Sequence, residues 1–463
     1  MQSVQLRPPK RQTLSKKISA TRVSSALFLV LWVGMPTRAA IISSRFEIAP
    51  AGAPQGAIAE LARAEEQFEK GEQDLALKTL QEAVKRFPEL PPARFMLAMH
   101  FLNANQISQG RIWLEHAAAE APNHADVHVV FGELALAEGR ISDAKLQFQH
   151  AEAVATQAAW PPERIRAVRR SCQAGLATVA EARQDWDSAR KHLGAWLELE
   201  PKQGQARQRL ANALFSLGMI DESYAELQQA CKDDADLEPA AATMGRLYAR
   251  TGAMKNARQW MAHAVQTAPN DHRSRVGYAL WLIEQGSYDE ANDQAIIAAQ
   301  LVPDSTDVQR LQGSIARLRK DYATAEQHLE AVYRKFPDDG QTLNLLALVL
   351  AEQSDEAKVM RALQLATVNA RQFPDSLDAL VTLGWVYFKA GRVEEAEKAL
   401  SAAAVGRQVS SDIAYMCARV LIARGRAEEA RGLLGSALEA PGVFIYRQEA
   451  EEALQGLDAA KTP

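Results

Sequence analysis

The chain has 463 residues, 47% apolar, 24% charged and only 6% aromatic, which supplies packed helices but too little aromatic and β-branched surface for β-sandwiches. Lys and Arg number 53 against 57 Asp and Glu, a formal charge of −4, and that balance excludes a chain built mainly to neutralise phosphates. At roughly 100 to 200 residues per domain, length alone suggests two to four globular units; the internal organisation points elsewhere.

Residues 1–40 hold Arg7, Lys10, Arg11, Lys16, Lys17, Arg22 and Arg38 and no acid, so the remainder carries −11. An apolar run from Ala26 to Met35 is followed by Thr37-Arg38-Ala39-Ala40, with small residues for cleavage after Ala39 or Ala40. This pattern reads as a secretory signal peptide. The run is half the length of about 20 residues that a spanning helix needs, which favours a cleaved export signal over an uncleaved anchor. Ser and Arg richness suits a mitochondrial presequence, but the compact apolar run argues against it. The expected location is periplasmic, cell-envelope or extracellular. No Cys follows the run, so a lipoprotein is not indicated, and the widely spaced Cys172, Cys231 and Cys417 make no disulfide framework. Residues 41–56, with Pro50, Gly52, Pro54 and Gly56, read as a linker.

From Ala57 the chain repeats with a period of 34. Copies begin at Ala57, Pro91 and Ala125, then after an insertion at Arg170, Gly204, Glu238, His272, Thr306 and Gly340, and finally, after three extra residues, at Leu377 and Ser411. Position 8 is Ala or Gly in all eleven copies, position 20 is Ala in nine and position 27 is Ala in eight. Small residues at fixed offsets mark close helix approaches, and larger ones at positions 7, 11 and 24, such as Leu383, Tyr387 and Leu400, fill the space between. Seven copies have Gly at position 15, where a first helix ends, and seven have Pro at position 32, where a second one stops. Each copy is therefore two antiparallel helices that must stack on their neighbours to bury their apolar faces.

Residues 159–169 interrupt the array, with Pro161 and Pro162 suited to starting a lengthened helix that carries Arg166, Arg169 and Arg170. A solvated face explains these arginines better than a docking strip. Residues 445–458 form a last amphipathic segment, expected to cap the stack with Ile445, Ala453, Leu454 and Leu457 inward and Glu449, Glu451 and Glu452 outward. Residues 459–463 are a tail.

The chain resembles the tetratricopeptide repeat (TPR) family, best in Leu380, Leu383, Gly384, Tyr387, Gly391, Ala396, Leu400 and Ala403, and the register covers residues 57–444. Trp196, Val332 and Asn369 at position 27 depart from the pattern. The resemblance implies an all-α, right-handed α-solenoid of about eleven helix-turn-helix units with a C-terminal capping helix, arranged as copies 1–3 (57–158) and 4–11 (170–444). It also implies partner binding in a groove lined by positions 2, 5, 9 and 12 to 13 of each first helix. Those positions offer an apolar start (Phe95, Met99, Leu102), a cationic middle (Arg246, Arg250, Arg273, Arg310, Arg317) and an aromatic end (Trp385, Phe388, Tyr415). Arginine forks suit carboxylates, and exposed aromatics make anchors. The family's carboxylate clamp is matched only in part, by Gln208 and Asn212, so that specificity is not carried over.

No catalytic residue and no cofactor is expected. His124 and His128 share metal-ligand spacing, yet no HExxH pattern surrounds them and no third ligand is evident; His128 reads as a packing residue. The expected activity is a non-enzymatic scaffold that assembles a complex on a protein or peptide partner. The alternative is a structural component of envelope or polysaccharide export machinery that binds glycan. Nucleic acid is excluded by the charge, and a membrane enters only through an uncleaved N-terminal segment.

Overall fold

The computed structural model describes residues 55–158, 160–404, 409–440 and 442–459. The expected signal peptide, the linker up to residue 54 and the last four tail residues lie outside the described residues. Among the described residues there are 23 helices and no strand. The eleven copies fold as eleven helix pairs, from Gln55–Glu69 with Gln73–Arg86 to Ser411–Ala423 with Ala427–Glu439, and Arg447–Ala459 follows. The fold is all-α, built of stacked helical hairpins.

The hairpin is held by a repeated size match. Position 8 of each first helix faces position 24 of the second, and where position 8 is Gly there is no room for more. A Cβ on Gly132 would lie 2.7 Å from the Phe148 ring, and one on Gly384 would lie 2.7 Å from Leu400. Phe148 and Leu400 are buried in that gap, each stabilising its hairpin by about 2 to 3 kcal/mol. The small residues at positions 20 and 27 are buried in the same seams, as Ala144, Ala151, Ala396 and Ala403 show. Val332 and Asn369 at position 27 are buried as well; the Asn369 Nδ2 group donates to Asn344 Oδ1 at 2.7 Å and to the Gly340 carbonyl at 3.2 Å, while its Oδ1 has no hydrogen-bond partner among the described residues. On the flank of the hairpin, position 4 bonds position 23: His128 with Gln147, Gln173 with His192, Arg207 with Glu226, and Gln309 with His328, all at 2.7 to 2.8 Å.

Position 15 turns the chain between the two helices. All seven glycines there have φ between 74° and 81°, and Asn105, Gln184 and Lys320 adopt the same left-handed conformation at 56° to 60° in copies that lack Gly. The turn is dictated by the packing of the two helices, and a side chain at this place is tolerated at a cost of about 1 kcal/mol.

The insertion lengthens one helix, Pro162–Ala182, with Pro at its first position. The three extra residues of the ninth copy are absorbed by Glu356–Gln372. The described helices form two compact units divided between Ser274 and Arg275, inside the helix His272–Glu284. In the second unit the first helices of copies 8 to 11 pack in succession, Thr306–Leu318 on Gly340–Glu352, then Leu377–Lys389, then Ser411–Ala423, which makes one continuous face from positions 2, 5, 9, 12 and 13.

Candidate functional site

The first-helix face of the first unit is closed at its start. Phe95, Met99 and Leu102 are buried in the core of copies 1 to 3, which corrects their expected role as an open apolar groove. The insertion contributes the cover. Trp160 lies 5.2 Å from the His124 ring, which in turn lies 6.2 Å from Phe95. Arg164, only 3% exposed, stacks 3.9 Å from the Trp160 ring centre, donates to Asp126 Oδ2 at 2.7 Å and bonds the Glu89 carbonyl. A buried guanidinium with a carboxylate, a carbonyl and an aromatic face is a structural clasp. Burial pushes the His124 ring down to about 4, beyond what Asp126 restores, so it is neutral in this setting. His128 bonds Gln147 and the Pro122 carbonyl, and the described residues hold no group of three potential metal ligands.

The arginines of the insertion are spent on the protein itself. Arg166 bonds the Leu199 carbonyl, Arg170 pairs with Glu200 at 3.1 Å, and Arg169 lies 3.9 Å from Glu152.

The five groove arginines divide between the units. In the first unit, Arg273 donates to Asp271 at 3.0 Å and to the Asp236 carbonyl at 2.6 Å, and Arg246 pairs with Glu238. Arg250 is exposed and donates to the neutral Asn212 Oδ1 at 3.1 Å; among the described residues no carboxylate pairs with it. Partial desolvation and then the charge of Arg246 push its pKa below the usual arginine value, as expected of two cations close together. In the second unit Arg310 is consumed by Asp307 at 3.0 Å, Asp339 at 3.4 Å and Gln341 at 2.7 Å. Arg317 is buried and its charge acts on Asp412 and Tyr446.

Trp385, Phe388 and Tyr415 do come together on the first-helix face of the second unit: Trp385 stacks on Phe388 at 5.3 Å and lies 6.0 Å from Tyr415. Trp385 and Tyr415 are not open anchors, each being 2% exposed, while Phe388 is half-buried. The cover is the segment that leads into the last helix. Tyr446 stacks on Tyr415 at 5.0 Å and against Trp385 at 5.7 Å, and Phe444 lies 6.4 Å from Tyr415. Beneath them Glu352 collects three donors: the Trp385 indole N–H and the Tyr446 hydroxyl on Oε1, and Lys389 Nζ on Oε2, each at 2.8 Å. Burial opposes the charge of Glu352, yet Lys389 and these hydrogen bonds hold its carboxyl below the ordinary value. Asp412 accepts from the Ile445 backbone N–H at 2.9 Å; its own burial pushes its pKa up against the pull of Arg317. Glu449 turns inward to pair with Lys320, which corrects its expected outward placement, while Glu451 and Glu452 are exposed.

Sequence reasoning missed Glu352, Asp412, Tyr446 and Arg164. The first two stand at positions 13 and 2, which the groove offsets select, but an acid there carries no sign of the partners it gathers. Tyr446 and Arg164 lie outside the repeat register and carry no periodic signal.

A family model described as tetratricopeptide repeat matches residues 61–125, 279–340, 357–413 and 381–443. A TPR repeat-containing protein of Pseudomonas aeruginosa is similar at 25% identity over 197 residues, a match that spans 41% of this chain and 33% of that protein's length. Among solved structures, a tetratricopeptide repeat protein from Parabacteroides merdae aligns with a TM-score of 0.44 and 12% identity over 55% of this chain and 98% of that one. Yeast Tom70 aligns with a TM-score of 0.37 and 13% identity over 88% and 96%.

Proposed function

Because the chain belongs to the tetratricopeptide repeat family, a class of repeat that serves as a scaffold for protein interactions, we propose that it is a non-enzymatic scaffold that captures an acidic segment of a protein partner on the first-helix face of its first unit. The observation that carries this reading is Arg250, an exposed guanidinium that among the described residues bonds the neutral Asn212 and no carboxylate, and that is placed beside Arg246. Two cations held near one another without a carboxylate for each are relieved by an incoming anion, and a guanidinium fork matches a carboxylate with two parallel bonds. Export to the periplasm, envelope or exterior is part of the same proposal. It is supported by the basic stretch, apolar run and small residues of positions 7 to 40.

The test is capture of protein from an envelope extract on the immobilised chain over a range of salt concentrations. Wild type is expected to retain a partner that salt releases, and the Arg246→Glu/Arg250→Glu variant to lose it. Equal capture by both, with the same salt dependence, overturns the reading. A retained component that survives protease treatment of the extract indicates glycan instead. N-terminal sequencing of the native protein checks export, with a start at Ala40 or Ile41 as the expected result.

A further inference from the structure

The face formed by copies 8 to 11 is covered by the chain's own residues 444–449, whose Phe444 and Tyr446 join the apolar cluster of Trp385 and Tyr415 over a floor that carries charged groups. The helix Arg447–Ala459 buries Ala450 fully and lays Ala453, Leu454 and Leu457 against the core as expected from the sequence, with Arg431 bonding Asp458 and the Leu457 carbonyl; the segment ahead of it is what enters the first-helix face. Phe444 and Tyr446 supply the apolar contact. The floor under them is polar: the Tyr446 hydroxyl donates to Glu352, and the Ile445 backbone donates to Asp412.

A buried interface that serves stability alone gains little from charged groups, whose desolvation offsets most of what their pairing returns. A binding site needs such groups, since they define which segment fits. The floor is also self-sufficient. With Tyr446 withdrawn, Glu352 keeps the Trp385 indole and Lys389 as donors, and solvent replaces the hydroxyl. Glu352 is therefore paired in both the filled and the open states, while Asp412 gives up the Ile445 donor and keeps the charge of Arg317 nearby. The approach to the segment passes through Gly442 at φ 107°, a backbone conformation that residues with a Cβ rarely adopt.

We propose that the groove of Glu352, Trp385 and Tyr415 is a binding site for aromatic-x-tyrosine segments followed by an acid, and that residues 444–449 occupy it as the chain's own competing ligand. The specificity follows from the contacts. A tyrosine ring enters between Trp385 and Tyr415, its hydroxyl reads Glu352, its backbone is held by Asp412, and an acid three residues on meets Lys320. A tethered ligand acts at an effective concentration on the order of millimolar, so an outside segment must displace it or arrive with more contacts. The proposal rests on reading the repeat face as a peptide-binding surface, but it concerns a different unit from the Arg250 site and needs no unidentified partner to test.

The experiment titrates a labelled peptide of residues 442–459 onto the full chain and follows its anisotropy. Wild type is expected to bind weakly, and the Phe444→Ala/Tyr446→Ala chain about tenfold or more tightly, because its groove is no longer filled. Adding Glu352→Gln to that variant is expected to return much of the gain. Tyr446→Phe and Glu449→Gln, which leave the apolar packing in place, are expected to give intermediate affinities, and they decide the matter if the double alanine variant loses helicity. Equal affinity for wild type and the vacated chains overturns the proposal and makes the segment a fixed cap. So does a wild-type dimer that Phe444→Ala/Tyr446→Ala abolishes, since the segment is then seated on a second copy. Failure here with intact Arg250-dependent capture removes this inference alone; the reverse outcome removes the first-unit reading alone.

Discussion

Each unit has part of its first-helix face covered by a segment that stands outside the 34-residue register, and the two covers are built differently. In the first unit residues 160–164 close over Phe95 and His124 with a buried guanidinium clasped by Asp126, the Glu89 carbonyl and the Trp160 ring. Removing Arg164 strands a carboxylate and a carbonyl. In the second unit residues 444–449 lie on Glu352 and Asp412, and Glu352 keeps other donors when the segment leaves. The contrast separates a cover that belongs to the core from one that behaves as a ligand. What distinguishes them is the central carboxylate: Asp126 loses its guanidinium with the first cover, whereas Glu352 keeps Trp385 and Lys389 without the second, although Asp412 beside it loses the Ile445 donor.

Substitutions sharpen that contrast. Arg164→Ala is expected to cost about 3 kcal/mol and to raise hydrogen exchange in peptides from residues 55–274 while leaving those from 275–459 protected; uniform loss in both breaks the distinction. Acid acts next, through His100. Its ring is buried with Nε2 unpartnered, and burial lowers its pKa from 6.5 to about 4 against the pull of Glu69. The folded state therefore resists a proton that the unfolded state accepts. The associated stability is present above pH 6.5 and lost as pH falls toward 4, about 2 kcal/mol by pH 5. Melting curves of His100→Phe are expected to show a smaller drop between pH 7 and pH 5 than wild type, and an equal drop counts against the assignment. The smallest effect concerns the left-handed turns. Gln184→Gly is expected to stabilise the first unit by about 1 kcal/mol. Lys320→Gly at the equivalent place is expected to gain less, since it forfeits the pairing with Glu449; urea midpoints of the two variants compare them.

Much of this architecture was legible in the sequence because packing leaves a periodic trace. The small residue at position 8 is required by the bulk at position 24, so Gly132 and Phe148 announce one another, and Gly at position 15 announces a turn. Asn105, Gln184 and Lys320 show the limit of that signal, for their copies impose the same turn on residues that do not advertise it. The groove offsets placed Trp385 and Tyr415 on one face, yet could not show them covered. The covering residues, Trp160 and Arg164 in one unit and Phe444 and Tyr446 in the other, come from stretches with no repeat to read. Charge was the other blind spot. Glu352 looks like any solvating glutamate until its three donors are seen, and Arg310 looks available until Asp307, Asp339 and Gln341 are seen around it.

The seating of Tyr446 on Glu352 is tested most directly by a double-mutant cycle of Tyr446→Phe and Glu352→Gln in urea unfolding of the second unit. A coupling of about 1 kcal/mol is the expected result. Effects of the two substitutions that simply add, within about 0.3 to 0.5 kcal/mol, contradict a ligand held in the groove by that hydroxyl.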